Sequence, residues 1–160
     1  MSIPSVWRAN IYFNNGRGQF SSGVPFGAAD NTRSLAIGDL NGDGALDIIL
    51  GNGDYYTHQA SKVYLNDGQG GFGAGVPFGD AHDTRSIAVG DLNGDGALDI
   101  VQANAFEQSM VYLNDGQGGF SVGMPFGPPN YARGIAFGDV NGDGALDIVK
   151  ATTGSPARCT

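Results

Sequence analysis

Asp39, Asn41, Asp43 and Asp47 place side-chain oxygens at positions 1, 3, 5 and 9 of one short segment, with glycines at positions 4 and 6. The arrangement returns as Asp91, Asn93, Asp95 and Asp99, and again as Asp139, Asn141, Asp143 and Asp147. Carboxylate and amide oxygens at this spacing suit a hard cation, and the glycines permit the sharp turn that brings them together. Ca²⁺ takes about six to eight oxygens, so the backbone carbonyls of Ala45, Ala97 and Ala145 at position 7, with water, would complete each shell. Three near-identical copies in 160 residues make chance a poor explanation. The expectation is three Ca²⁺ sites per chain.

The flanks say what kind of loop this is. An EF-hand has a bidentate Glu at position 12 and a helix on each side. Position 12 here is Leu50, Gln102 and Lys150. The flanks are short apolar runs, Ser34 to Gly38 before the first loop and Asp47 to Leu50 after it, with matching runs around the other two. A metal loop joining two strands is a hairpin linker, so the ion is expected to be structural rather than catalytic or sensing.

Twenty-eight glycines and only 15% charged residues point to many tight turns between short strands. No stretch carries a helical period over a helix-length window, and none is long enough to span a membrane. The net charge is −8, but nine of the sixteen acidic residues lie in the three loops. Three bound Ca²⁺ would bring the charge to about −2. Acidity therefore reports metal rather than a basic partner, and without a basic patch nucleic acid is not expected. Cys159 is the only cysteine, so no internal disulfide forms, and it reads as a bystander thiol. Residues 1–8 contain no apolar signal core. Loops of this kind suit millimolar extracellular Ca²⁺, so a secreted location is expected, by another export route or as a trimmed or engineered chain.

A second motif fixes the period. Tyr12 to Phe20, Tyr64 to Phe72 and Tyr112 to Phe120 share a Tyr, a glycine-rich turn and a Phe. Both motifs step by 52 and then 48 residues. A period near 50 with four short strands per unit is the signature of a β-propeller blade. Strand a runs into the oxygen-rich loop, as in Ser86 to Gly90, and b leaves it, as in Leu98 to Ala103. Strand c is Lys62 to Leu65 or Met110 to Leu113, and d starts at Phe72 or Phe120. The turn between c and d reads as a plain glycine hairpin, with a second cation as the alternative.

The expected fold is all-β, a single domain of three blade equivalents over residues 1–160. Strands c and d occupy about residues 1–31, with c from Asn10 to Phe13 and d from Phe20 to Val24. Whole blades follow at 32–79 and 84–127, and strands a and b at 132–153. Propellers typically have about four to eight blades. Two chains head to tail would supply six, the b strand of one pairing with the c strand of the next. A homodimer closing one six-bladed ring is therefore expected; a fragment of a larger propeller or an open fibre are the alternatives.

These blades resemble the FG-GAP/VCBS repeats of integrin-α-like β-propellers. The resemblance rests on Phe26-Gly27, Phe78-Gly79 and Phe126-Gly127, each followed by one of the oxygen-rich loops, and covers essentially the whole chain. It implies that the loop joins strands a and b on the lower face, with Asp39, Asn41, Asp43, Asp47 and their counterparts as calcium ligands. Members usually have seven blades, from which three repeats depart. The family includes integrin heads, lectins and non-catalytic modules, so the resemblance implies recognition, with ligands held on the upper face or between blades.

That face would carry the b–c and d–a loops, where the repeats diverge. Tyr55, Tyr56, His58 and Phe106 lie in the former; Arg33, His82, Asp83, Arg85, Tyr131 and Arg133 lie in or beside the latter. Aromatic faces next to Asp, Asn and His suit sugars, which need a stacking surface and directional hydrogen bonds. The plainer reading is solvated loops. Arg33, Arg85 and Arg133 hold one repeated position, either as a ring for acidic glycans or as ties between blades. His58 and His82 fall at unrelated positions, against a shared metal or base. Phe26, Phe78, Phe126, Tyr12, Tyr64 and Tyr112 read as inter-blade core.

No nucleophile, base or open metal site stands out, so an enzyme is not expected. The first reading is a calcium-stabilised carbohydrate-binding (lectin-like) or adhesion module. The rival is a purely structural self-assembling repeat, designed or recently amplified.

Overall fold

The computed structural model describes residues 9–153, and twelve strands account for all the regular structure in that span. They are β1 (Ala9–Ile11), β2 (Val24–Phe26), β3 (Thr32–Gly38), β4 (Asp47–Asn52), β5 (Gln59–Tyr64), β6 (Val76–His82), β7 (Thr84–Gly90), β8 (Asp99–Asn104), β9 (Ser109–Tyr112), β10 (Met124–Phe126), β11 (Tyr131–Gly138) and β12 (Asp147–Thr153). Every pairing is antiparallel. Two four-stranded meanders, β3-β4-β5-β6 and β7-β8-β9-β10, are flanked in sequence by the two-stranded pairs β1-β2 and β11-β12. The chain is thus all-β, built of propeller blades, with a c–d pair, two whole blades and an a–b pair.

Side-chain size explains how the blades stack. The first strand of each unit is rich in Ser, Ala and Gly, so β3 approaches β7 and β7 approaches β11 closely. Ser34 Oγ accepts the backbone N–H of Ile87 across that contact at 3.0 Å. The second strands of the two whole blades are covered on both faces. All six residues of β8 are buried, the polar Asp99, Gln102 and Asn104 among them.

Between the two whole blades the core gathers Leu40, Ile49, Val63, Phe78, Ile87, Ile100 and Tyr112. Phe26, Leu50 and Tyr64 make the corresponding core one blade earlier. In each, a Phe meets a Tyr of the next blade edge-on, Phe26 with Tyr64 at 4.8 Å and Phe78 with Tyr112 at 5.2 Å between ring centroids. Such contacts add about 0.5–1.5 kcal/mol beyond the area they bury. The glycine after each Phe is what admits that Tyr. Gly79 sits at φ 61°, and a Cβ there would run into the Tyr112 ring. Burial, with the nearby Asp80 charge adding to it, pushes the Tyr112 hydroxyl up to about 12.

The structure departs from two expectations. Regular pairing in the fourth strand begins at Val76 and Met124, after the Gly73 to Gly75 stretch and its counterpart; Phe72 and Phe120 form only single bridges, to Asn66 and Asn114. Likewise β1 stops at Ile11 and β2 starts at Val24, with Asn14 and Phe20 in a single bridge. The repeated tyrosines are also not equivalent. Tyr64 and Tyr112 are 4% and 1% exposed, whereas Tyr12 is 57% exposed, because no neighbouring blade among the described residues covers it.

Candidate functional site

The oxygen-rich loops lie at one end of the blades, where β3 turns into β4, β7 into β8 and β11 into β12. Their glycines adopt the left-handed conformation, Gly42 and Gly44 at φ 73° and 86° in the first loop. This turns successive backbone N–H groups inward. Asp39 Oδ1 accepts from Gly42 at 2.8 Å and from Asp43 at 3.2 Å, while Oδ2 accepts from Gly44 at 2.8 Å. Asp91 and Asp139 are held the same way, and these backbone donors keep both carboxyls below the usual carboxylate range. Asn41 Nδ2 donates to Asp43 Oδ2 at 2.8 Å, with the same bond at Asn93–Asp95 and Asn141–Asp143. Asp43 Oδ1 accepts the N–H of Ala45 at 2.8 Å, and Asp95 and Asp143 accept from Ala97 and Ala145.

The ninth-position carboxylates face elsewhere. Asp47 is fully buried, its Oδ2 accepting the N–H of Leu40 and its Oδ1 that of Asn66. Asp99 does the same with Leu92 and Asn114. Asp147 accepts from Val140. Among the described residues, no three Asp, Glu, His or Cys side chains gather into a group that could hold a metal ion. The loop interiors are thus satisfied by backbone amides.

The opposite end of the strands, about 20 Å away for six-residue strands, carries the divergent loops. Three features shape them. Arg33, Arg85 and Arg133 are the extra residues of β-bulges, where the register steps from Thr32 to Ser34, Thr84 to Ser86 and Ala132 to Gly134. A bulge re-aims its side chain, and here Arg33 takes a different partner from Arg85 and Arg133, which both reach the Tyr131 ring. Arg33 reaches Asp54 at 3.7 Å, Arg85 Nη2 donates to Asp83 Oδ2 at 2.8 Å, and Arg133 lies 4.4 Å over the Tyr131 ring.

Asp54 organises the first b–c loop. It accepts the N–H of Thr57 and of Tyr56 and the Thr57 hydroxyl, and the Thr57 bonds hold its carboxyl below the usual range. That leaves Tyr55 and Tyr56 projecting, Tyr56 being 88% exposed. In the second b–c loop Phe106 takes φ 63°, the one non-glycine residue with positive φ among those described. Its N–H donates to Asn130 O at 3.0 Å.

These loops meet. Tyr55 lies 5.2 Å from Tyr56 and 6.1 Å from Phe106, and Phe106 lies 5.0 Å from Tyr131, ring centre to ring centre. Arg85 also reaches over Tyr131, at 5.0 Å from the ring centre. Beside this row Glu107 joins the two histidines, His82 Nδ1 at 2.5 Å and His58 Nδ1 at 3.6 Å. Beneath it, His82 Nε2, Asp83 Oδ1 and Arg85 Nε are buried without a hydrogen-bond partner among the described residues. The structure thus brings Tyr55, Tyr56, Phe106, Tyr131, Arg85 and Arg133 together, with His58, His82 and Asp83 at their flank; Arg33 stays with Asp54.

Glu107 is the residue the sequence reading missed. Its signal was composition, since it is the only glutamate in the chain. A groove of about 550 Å³ elsewhere, lined by Phe26, Tyr64 and Phe72, consists of inter-blade core rings and carries no comparable polar set.

The description FG-GAP-like repeat matches residues 3–50, 47–102 and 98–149. The chain belongs to the FG-GAP-like repeat family. Its match spans both whole blades and reaches into the two strand pairs, consistent with a propeller-like repeat module. No curated protein matches the chain. Among the described residues no helix is long and apolar enough to cross a membrane.

Proposed function

We propose that this FG-GAP-like chain is a non-catalytic recognition module that binds carbohydrate on its b–c and d–a loops and is stabilised by Ca²⁺ in its a–b loops. The observation that carries the ligand reading is the row of exposed Tyr56, Tyr55 and Phe106 with the half-buried Tyr131, flanked by Arg85, Arg133 and the Glu107–histidine pair. Exposed rings offer stacking faces to sugar C–H groups, and the ionic groups beside them offer directional hydrogen bonds. Phe106 supports it further. A bulky residue at positive φ costs about 1–2 kcal/mol, and strain of this kind clusters where a side chain must be presented.

For Ca²⁺, the donor chemistry fits: Asp39, Asn41, Asp43 and the Ala45 carbonyl are all oxygen donors, repeated three times. The Asp91 and Asp139 carboxyls, held low by backbone donors, and the left-handed glycines support it. Holding the ion needs the Asn41 amide to present Oδ1 rather than donate Nδ2 to Asp43. Asp47 and Asp99 are committed to backbone N–H groups, so their part in such a site is support beneath the loop. Millimolar calcium favours an extracellular setting.

A glycan array in millimolar calcium tests the ligand reading: several related sugars should bind. Silence across the array favours the second reading, a self-assembling structural repeat, which the uncovered outer strands β1 and β12 support.

A further inference from the structure

We infer that β12 of one chain pairs with β1 of a second copy, so that two chains close head to tail into one six-bladed ring. The reasoning is independent of any ligand, because the repeats inside one chain show what each outer strand is built to meet.

In the two whole blades the second strand pairs with the third in one register, Ile48 with Tyr64 and Ile49 with Val63, then Ile100 with Tyr112 and Val101 with Val111. The residues at these positions in β12 are Ile148 and Val149. In the first repeat those of the third strand are Ile11, the last residue of β1, and Tyr12 just after it. Transferred unchanged, the register sets Ile148 opposite Tyr12 and Val149 opposite Ile11 of the other copy.

Three unfulfilled relationships point to the same junction. Ile49 and Val101 are both 0% exposed, but Val149, their counterpart, is 52% exposed. Asp47 and Asp99 each accept the backbone N–H of Asn66 or Asn114, and those two asparagines also donate Nδ2 to the Leu46 and Leu98 carbonyls. Asp147 Oδ1, the Leu146 carbonyl, and the N–H and Nδ2 of Asn14 are the matching groups, and among the described residues they have no such partners. Tyr64 and Tyr112 are each wedged against the glycine of a preceding Phe-Gly, Gly27 or Gly79. Gly127 has the same left-handed backbone, at φ 63°, and meets only the Lys150 side chain, while Tyr12 stands exposed. A second copy supplies the missing member of every pair: its Asn14 to Asp147, its Tyr12 to Gly127.

Light scattering on the full chain reads the mass, and mixed cross-linking reads the register. In a Cys159→Ser background, one preparation carries Val149→Cys and another Ile11→Cys. The inference predicts a mass of two chains. It also predicts a disulfide-linked dimer only when the two preparations are mixed under oxidising conditions. Ile148→Cys mixed with Ile11→Cys should give none, since a one-residue slip puts the side chains on opposite faces. A monomer overturns the inference, as does a series of higher multimers. Cross-linking of Val149→Cys with itself overturns it too, because that is a head-to-head contact.

Discussion

Asp99 Oδ1 accepts the backbone N–H of Asn114 at 2.9 Å, fastening the a–b loop to the hairpin fifteen residues further along the same blade. Its Oδ2 meanwhile accepts from Leu92 at 2.9 Å, so one buried carboxylate satisfies a backbone donor on each side. Removing it strands two N–H groups and leaves a void. Asp99→Ala and Asp47→Ala should each cost about 2–4 kcal/mol. Asp147→Ala should cost under about 1 kcal/mol in the monomeric chain, because Asp147 is only half buried and holds one such donor. Urea unfolding of the three variants, at a concentration where light scattering reads a single chain, checks this, and equal losses there would contradict it.

Loop carboxylates that are not buried should respond differently. At calcium 100 times the dissociation constant, each occupied site adds about 2.7 kcal/mol to the folded state. EDTA should therefore lower the melting temperature markedly. Asp43→Ala, Asp95→Ala and Asp143→Ala should each remove part of that response while changing the EDTA melt little. An identical melt with and without EDTA would sink the calcium reading.

Acid should weaken the calcium-free fold. Backbone donors hold Asp91 and Asp139 below the usual carboxylate value of 3.8, so their contribution is present above that pH. It is lost as pH falls through the lower folded values. Melting in EDTA should drop below about pH 4. Asp139→Asn should flatten that drop; an unchanged acid profile would contradict the assignment.

Alkali gives the opposite sign at Tyr112. An unfolded tyrosine titrates near 10, whereas burial raises Tyr112 to about 12 in the fold. The folded state thus keeps its proton more tightly, and stability is present below pH 10 and lost as pH rises toward 12. Melts between those values should fall for the unaltered chain and fall less for Tyr112→Phe.

Much of this architecture was legible because the repeat displays itself. The two motifs, recurring with the same steps, place every strand of the whole blades to within a few residues, and binary patterning was hardly needed. Fourth strands were drawn too early at Phe72 and Phe120, since an aromatic after a glycine turn looks like a strand start. The intervening residues, Gly73 to Gly75 and Ser121 to Gly123, stay outside the regular ladder, which resumes at Val76 and Met124. The arginines were visible as a repeated position but not as bulge residues, because a bulge is a property of the pairing, not of one strand. His58 and His82 looked unrelated in sequence. They converge because both b–c loops and the d–a loop between them bend toward Glu107, a long-range contact that no local pattern encodes.

The central claim, that the aromatic loop face recognises carbohydrate, is tested most directly by running the glycan array with the unaltered chain beside Tyr56→Ala and Phe106→Ala. Tyr56 is almost fully exposed, so its truncation should leave stability within about 0.5 kcal/mol. The account predicts a set of related sugars bound by the unaltered chain, weakened roughly tenfold or more by either substitution, with the melting temperature of Tyr56→Ala unchanged. Sugar binding that survives both substitutions, or no binding to any glycan, would contradict it.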